Sequence, residues 1–271
     1  MVDMTTLRTS RTSCICAFLL GGVAALGLTL PACSSSSASN TLGGDAGAGD
    51  GAPSVDAGAS DAGDASGKPF APFQLRSFES NAEGVSDACK IADYTKATAI
   101  LGEANTNWAA LKPQVQAASA PAPLVARIDA TLAKLANDLS GSMQRACESD
   151  ANVVTLAVPD LFDLYSFPVP SDALRGDGVF RQLQIDGEYS DFAAAAPDLA
   201  ATKAVWTRLK PLVVVQAPTR GDIPGSATVV ADMDKAIADC DAAIKANDRA
   251  ALGVASQNGL DDIDVVETIF K

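Results

Sequence analysis

The chain contains no histidine. Ser-His-Asp and Cys-His nucleophilic sites, histidine-ligated zinc and histidine-held haem are therefore excluded. Beyond residue 33 there is no Cys-x-x-Cys pair, which removes the common thiol-based zinc and redox motifs as well. Aromatic residues make up only 5% of the chain, and an alanine-rich composition with so few of them points to helices. Positive charge is also scarce: 20 Lys and Arg stand against 33 Asp and Glu, a formal net charge of −13. That balance disfavours anionic surfaces, so no nucleic-acid partner is expected. Only one long apolar run exists, Cys14 to Leu30. It falls short of the ~20 residues of a spanning helix, and its glycines weaken a helix further.

That run has an ordered context. Arg8 and Arg11 precede it, Leu30-Pro31-Ala32-Cys33 closes it, and Ser34-Ser35-Ser36-Ser37 follows. Charged segment, apolar segment and cleavage site thus come in the order of an export signal. The arrangement resembles a bacterial lipoprotein signal, in which a lipobox cysteine is acylated and the preceding peptide removed. Leu30 and Ala32 fit that pattern, while Pro31 departs from its usual small residue. The competing reading is an ordinary signal peptide cut after Ala32, and Leu30 argues against it because that protease wants a small residue there. The resemblance implies a signal peptide over 1–32 and a membrane anchor through lipid (palmitate and related chains) on Cys33. Ser34, in place of aspartate, implies a cell-envelope location in the outer membrane. Each buried acyl methylene adds about 0.8 kcal/mol to such an anchor. From Ser34 to Gly67 the chain is almost entirely Ser, Ala, Gly and Asp, with no Lys or Arg. This composition predicts a disordered tether over 33–68, with a mean reach of about 30 to 35 Å.

The remaining residues, 69–271, have the length of one ordinary domain. They repeat themselves. Asp93-Tyr94, Leu101, Trp108, Leu111-Lys112-Pro113 and Val115 recur at identical spacing as Asp191-Phe192, Leu199, Trp206, Leu209-Lys210-Pro211 and Val213. Tyr94, Leu101, Trp108 and Val115 recur every seven residues and form one helical stripe. Val125, Ile128, Leu132, Leu135 and Leu139 match Val230, Met233, Ile237, Cys240 and Ile244 on a second helix. Ser149-Asp150 and Asn247-Asp248 are placed to cap a third. Pro113 and Pro211 kink or end the first helix of each unit. Phe167-Pro168-Val169-Pro170 is extended, and Ser171 caps a connecting helix weakened by Gly176 and Gly178. The expected fold is an all-α bundle of about seven helices, built from two pseudo-symmetric three-helix repeats. Repeat one runs over about 87–166, a connector over about 167–187, and repeat two over about 188–271.

Three cysteines fall in this domain. An exported chain matures in an oxidising compartment, which predicts a disulfide. Cys89 is read as opening the first long helix and Cys147 as closing the next, so the two ends meet. A bridge there is worth about 4 kcal/mol in the chain-entropy model. Cys240 takes the place of Leu135 on an apolar face, which favours a core role over a thiol ligand.

Other candidate residues have plainer alternatives. Asp232, Asp234, Asp239 and Asp241, and again Asp261, Asp262, Asp264 and Glu267, are carboxylate clusters able to chelate a hard cation. They sit between apolar helical positions and read first as solvated faces. Trp108 and Trp206 line either a cleft between units or, with their seven-residue stripe, the core. Met143 and Met233 are too far apart for a copper site. Arg175-Gly176-Asp177 and Arg220-Gly221-Asp222 spell the tripeptide that integrins read, but do not match between repeats. Phe70, Phe73 and Phe78 either dock a partner or pack the incoming chain onto the bundle.

No catalytic set emerges, so the reading is a lipid-anchored, non-catalytic helical module without cofactor, binding an envelope protein or small ligand. The alternative is a metal or small-ligand carrier, or an enzyme, working through carboxylates.

Overall fold

The computed structural model describes residues 67–271. The expected signal peptide, Cys33 and the expected tether up to residue 66 lie outside the described residues. Within them the chain is an all-α bundle of eight helices without strands: α1 Phe73–Lys90, α2 Tyr94–Ala117, α3 Ala122–Ser140, α4 Gln144–Phe162, α5 Ser171–Glu188, α6 Phe192–Gln216, α7 Val229–Ala246 and α8 Arg249–Phe270. No described helix is long and apolar enough to cross a membrane.

Local chemistry sets the helix starts. The Asp93 and Asp191 carboxylates accept from the backbone N–H groups of Lys96 and Ala194, capping α2 and α6, and Asp248 accepts from Ala251 N–H to cap α8. Pro121 and Pro170 precede α3 and α5. Helix ends are marked less conventionally. Ala92, Ser142, Ser190 and Asn247 follow α1, α3, α5 and α7 with φ of 56°, 51°, 56° and 51°, and none is glycine. The next N–H then folds back: Asp93 donates to the Ala88 carbonyl, and Asp191 to that of Asp186.

The two halves pack alike. Helix α1 lies against α2 and α4, and α3 against α4; α5 lies against α6 and α8, and α7 against α8. Contact between α4 and α5 joins the halves. In the first half Trp108 Nε1 donates to Asp129 Oδ1 at 2.7 Å while Lys112 Nζ donates to Oδ2 at 2.6 Å. In the second, Trp206 and Lys210 hold Asp234 at the same 2.7 and 2.6 Å.

This arrangement corrects the sequence reading in several places. The described residues hold eight helices, not about seven, and each half holds four, not three. The Phe73–Phe78 stretch belongs to α1, and the expected connector is α5, the counterpart of α1. Ser149 and Asp150 lie inside α4, where Asp150 pairs with Lys134 and caps nothing. Ser171 starts α5 without a side-chain cap; Pro170 is the N-cap residue. Pro113 and Pro211 lie within α2 and α6, which run on to Ala117 and Gln216.

Cys89 and Cys147 form a disulfide with Cα atoms 6.0 Å apart. The pairing is the expected one but its helices are not: Cys89 is in the last turn of α1 and Cys147 in the first turn of α4. In the second half the matching place is filled by Gly187 and Leu252. A Cβ on Gly187 would stand 3.1 Å from Leu252 Cγ.

Glycines set the approach of α5 to its neighbours. A Cβ on Gly176 would collide with Ile263 of α8, one on Gly178 with Leu156 of α4, and one on Gly259 of α8 with the Phe180 ring of α5. Phe180 is 1% exposed, and its ring atoms would stand 2.2 to 2.6 Å from that Cβ. Gly259→Ala gains about 1 kcal/mol of helix propensity but forces a buried ring aside at a cost of roughly 1 to 3 kcal/mol. The expected result is a lower urea midpoint at unchanged slope; an equal or higher midpoint would show that the ring yields freely. Replacing Cys89 and Cys147 together by alanine should cost about 4 kcal/mol in the same measurement.

Candidate functional site

A cavity of about 570 Å³ opens where α1, α5 and α8 meet beside Phe167 and Pro168. Helix α1 contributes Arg76, Glu79 and Glu83, α5 contributes Leu174 and Asp177, α8 contributes Asp264 and Glu267, and Lys271 follows α8. Five carboxyl groups thus share one concave wall. The helices come from both halves of the chain, so the site exists only in the assembled bundle.

Burial is the largest influence on these acids, and mutual repulsion adds to it. Loss of solvent, then the charges of Glu83 and Glu267, push Glu79 up to about 9. Loss of solvent, then Asp177, push Glu83 up to about 8. Asp177, Asp264 and Glu267 are raised too, burial again leading. Cations offset part of this. Arg181 Nε lies 3.3 Å from Asp177 and its Nη1 2.6 Å from Asp87, while Lys271 lies 3.0 Å from Glu267. Among the described residues no group of three or more Asp, Glu, Cys or His is placed to hold a metal ion. The carboxylates are spread around the wall instead of aimed at one point.

Of the residues singled out in the sequence, Cys33 lies outside the described residues. Asp264 and Glu267 line the cavity, whereas Asp261 accepts from Gln257 on the surface. Asp234 and Asp241 are held in ion pairs by Lys210 and by Lys203 and Lys245, and Asp239 pairs with Lys235. Trp108 and Trp206 are buried, with Nε1 bonded to aspartate, and line no cleft between the halves. Cys240 is fully buried, and burial pushes its thiol up to about 12. Met143 is exposed and Met233 buried. Arg175-Gly176-Asp177 is helical, with Arg175 tied to Asp160, Asp163 and Asp172. In the second tripeptide Arg220 donates to the Ile269 carbonyl and faces Asp222. Phe78 is core, stacked on Trp108 with centroids 5.3 Å apart, while Phe70 and Phe73 are exposed.

Sequence reasoning missed Glu79 and Glu83, and weighed Asp177 only as part of the Arg175-Gly176-Asp177 tripeptide. The available signal was the pair of acids one helical turn apart in Glu79 and Glu83, but nothing linear links them to α5 or α8.

No protein-family model, curated protein or solved structure matches the chain.

The acids give stability a definite pH dependence. The folded chain holds these protons more tightly than the unfolded chain, so stability is full below the ordinary glutamate value of 4.5 and falls as pH rises towards about 9. Asp129 and Asp234 act oppositely. Burial raises them, but hydrogen bonds from lysine and tryptophan outweigh it and hold them low, so their contribution is lost in acid. The melting temperature should therefore peak near about pH 5 and decline into alkali. Glu79→Gln should raise it at pH 9 by roughly 3 °C or more. A level or rising profile between neutral and alkaline pH would mean that Glu79 is already ionised in the folded chain.

Proposed function

We propose that this chain is a lipid-anchored envelope lipoprotein, held in the outer membrane through Cys33, whose helical bundle is a non-catalytic binding module for a small organic cation. The single observation that carries the binding function is the convergence of five carboxyl groups on one cavity of about 570 Å³. That volume falls in the range of small-molecule sites. Separated carboxylates suit a flexible molecule with several ammonium groups better than a metal ion, which needs its ligands on one point. Phe167, Pro168 and Leu174 supply an apolar wall for the methylenes between such groups. The anchor and tether support a protein that captures its ligand close to a lipid surface.

One observation favours a second reading. A carboxyl group raised to about 8, as in Glu83, is poised for general acid–base work at neutral pH. An enzyme of this kind would lose turnover, and keep ligand affinity, on Glu83→Gln.

Calorimetry with spermidine tests the binding site. Glu79 and Glu83 must release protons to pair with ammonium groups, so affinity should rise from neutral pH towards pH 9 with proton release at the lower pH. Glu79→Gln/Glu83→Gln should weaken binding at least about tenfold, or 1.4 kcal/mol. No binding heat, or heat indifferent to the double variant, removes the cavity as a polyamine seat. The anchor is tested separately: Cys33→Ser should move the protein from the membrane fraction to the soluble one, and retention in the membrane would refute acylation at Cys33.

A further inference from the structure

Large apolar side chains are exposed mainly at one end of the bundle, and bonds between helices identify that end. Asp172, in the first turn of α5, accepts from Arg208 Nε and Nη2 in the second half of α6, at 2.9 and 2.7 Å. Arg175 of α5 pairs with Asp163, which follows α4. Lys68, ahead of α1, donates to the Asp163 carbonyl at 2.8 Å. Arg220, just past α6, donates to the Ile269 carbonyl in the last turn of α8 at 2.8 Å. The starts of α1 and α5 and the ends of α4, α6 and α8 are therefore neighbours, and the chain coming from Cys33 enters among them. Of the eight large apolar side chains exposed among the described residues, five belong here: Phe70, Phe73, Leu212, Val214 and Val215. Phe73 and Val215 are 70% and 73% exposed, so the fold makes little use of either. The other three lie towards the opposite end, where Ile91 follows α1, Met143 precedes α4 and Val254 is in the second turn of α8.

Comparison of the halves shows that the fold does not require these residues. Counted from the tryptophan, Leu212, Val214 and Val215 of α6 stand where α2 has Gln114, Gln116 and Ala117. Both helices bury a tryptophan, a leucine and a valine at the same spacing, yet only α6 is apolar on its outward side as well. Charge sets this end apart too. In a chain of net charge −13, no acid occurs from Lys68 to Phe78 or from Leu199 to Gly221. The acids nearest these stretches are engaged: Asp163 and Asp172 by Arg175 and Arg208, Asp222 by Arg220, and Glu267 by Lys271. Apolar side chains among paired charges suit a lipid surface without net charge better than a strongly charged partner.

We propose that this end of the bundle docks on the lipid surface that holds Cys33, with Phe70, Phe73, Leu212, Val214 and Val215 entering the boundary between headgroups and acyl chains. The docking rests on the Cys33 anchor proposed above, because the anchored chain joins the bundle at Lys68 and so brings this end to the lipid. Each side chain then leaves water where acyl chains are within reach. Once the chain is anchored, docking is intramolecular, and a patch too weak to hold a free protein suffices.

The acylated full chain on phosphatidylcholine vesicles carrying a photoactivatable acyl chain tests the docking. Flotation reads the anchor, and mass spectrometry maps the labelled residues. Labelling should concentrate in residues 70–76 and 212–220 and be at least about tenfold lower in 91–93 and 141–144, since burial of a single valine or leucine is worth at least that factor. Leu212→Gln/Val214→Gln/Val215→Ala gives α6 the exposed residues of α2. It should cut labelling of 212–220 at least about tenfold and leave flotation unchanged. A chain that floats but is labelled equally at both ends, or not at all, overturns the docking and leaves the anchor standing. Lysine cross-links joining Lys210 of two copies, without lipid labelling, would overturn it by assigning the face to a second copy. A chain that does not float removes the anchor, and the docking with it.

Discussion

The arrangement of the bundle depends on how closely α5 approaches α4 and α8. Gly176 and Gly178 on α5, and Gly259 on α8, each stand where a single added carbon would meet Ile263, Leu156 or Phe180. Helix propensity argues against glycine at all three positions, by about 1 kcal/mol apiece. Close packing of Phe180, Ile263 and Leu183 in the core offsets that cost through buried apolar area. The same approach brings Asp177 of α5 onto one cavity wall with Glu79 and Glu83 of α1. The acidic cavity therefore follows from where α5 lies.

The halves share a scaffold and differ in chemistry. Each uses a tryptophan and a lysine to fix one aspartate, and each turns after its first helix through a residue with φ of 56°. Where the first half closes the junction of its outer helices with the Cys89–Cys147 bond, the second presses Leu252 into the space left open by Gly187. One solution is covalent and constrains the unfolded chain; the other is contact alone and acts only in the folded one. The cavity breaks the likeness further, because it draws acids from α1 of one half and from α5 and α8 of the other.

Much of the fold was legible in the sequence because the stripes of α2, α3, α6 and α7 bury regularly spaced large residues. Trp108, Leu111 and Val115 announce a helix, and their recurrence as Trp206, Leu209 and Val213 announces a second. Helices α1 and α5 escaped as repeat elements for a physical reason. Their buried faces contain Ala82, Ser86 and Ala88, and Ala173, Gly176 and Gly178, small residues whose role is proximity and not apolar bulk. The end of α1 was hidden as well, since Ala92 adopts a left-handed conformation that glycine usually signals. The cavity was legible only in fragments. Asp264 and Glu267 stood out as part of an acidic run, but the wall they share with Glu79 and Glu83 needs α1, far away in the chain.

The chain enters the bundle at its middle. Pro69 and Ala71 bond to Ser166 on either side of a parallel bridge at Phe70, and Lys68 reaches the Asp163 carbonyl at 2.8 Å. A pull arriving from the residues before Gly67 is therefore taken first by the link between α4 and α5, in shear, with both bonds loaded together. Once that link gives way, α1 can unravel only as far as Cys89. Tension then passes through the sulfur bridge straight to Cys147, skipping residues 90–146 between them. Helices α2 and α3 sit inside that closed loop and carry no load, so more than a quarter of the described residues is shielded from any such pull.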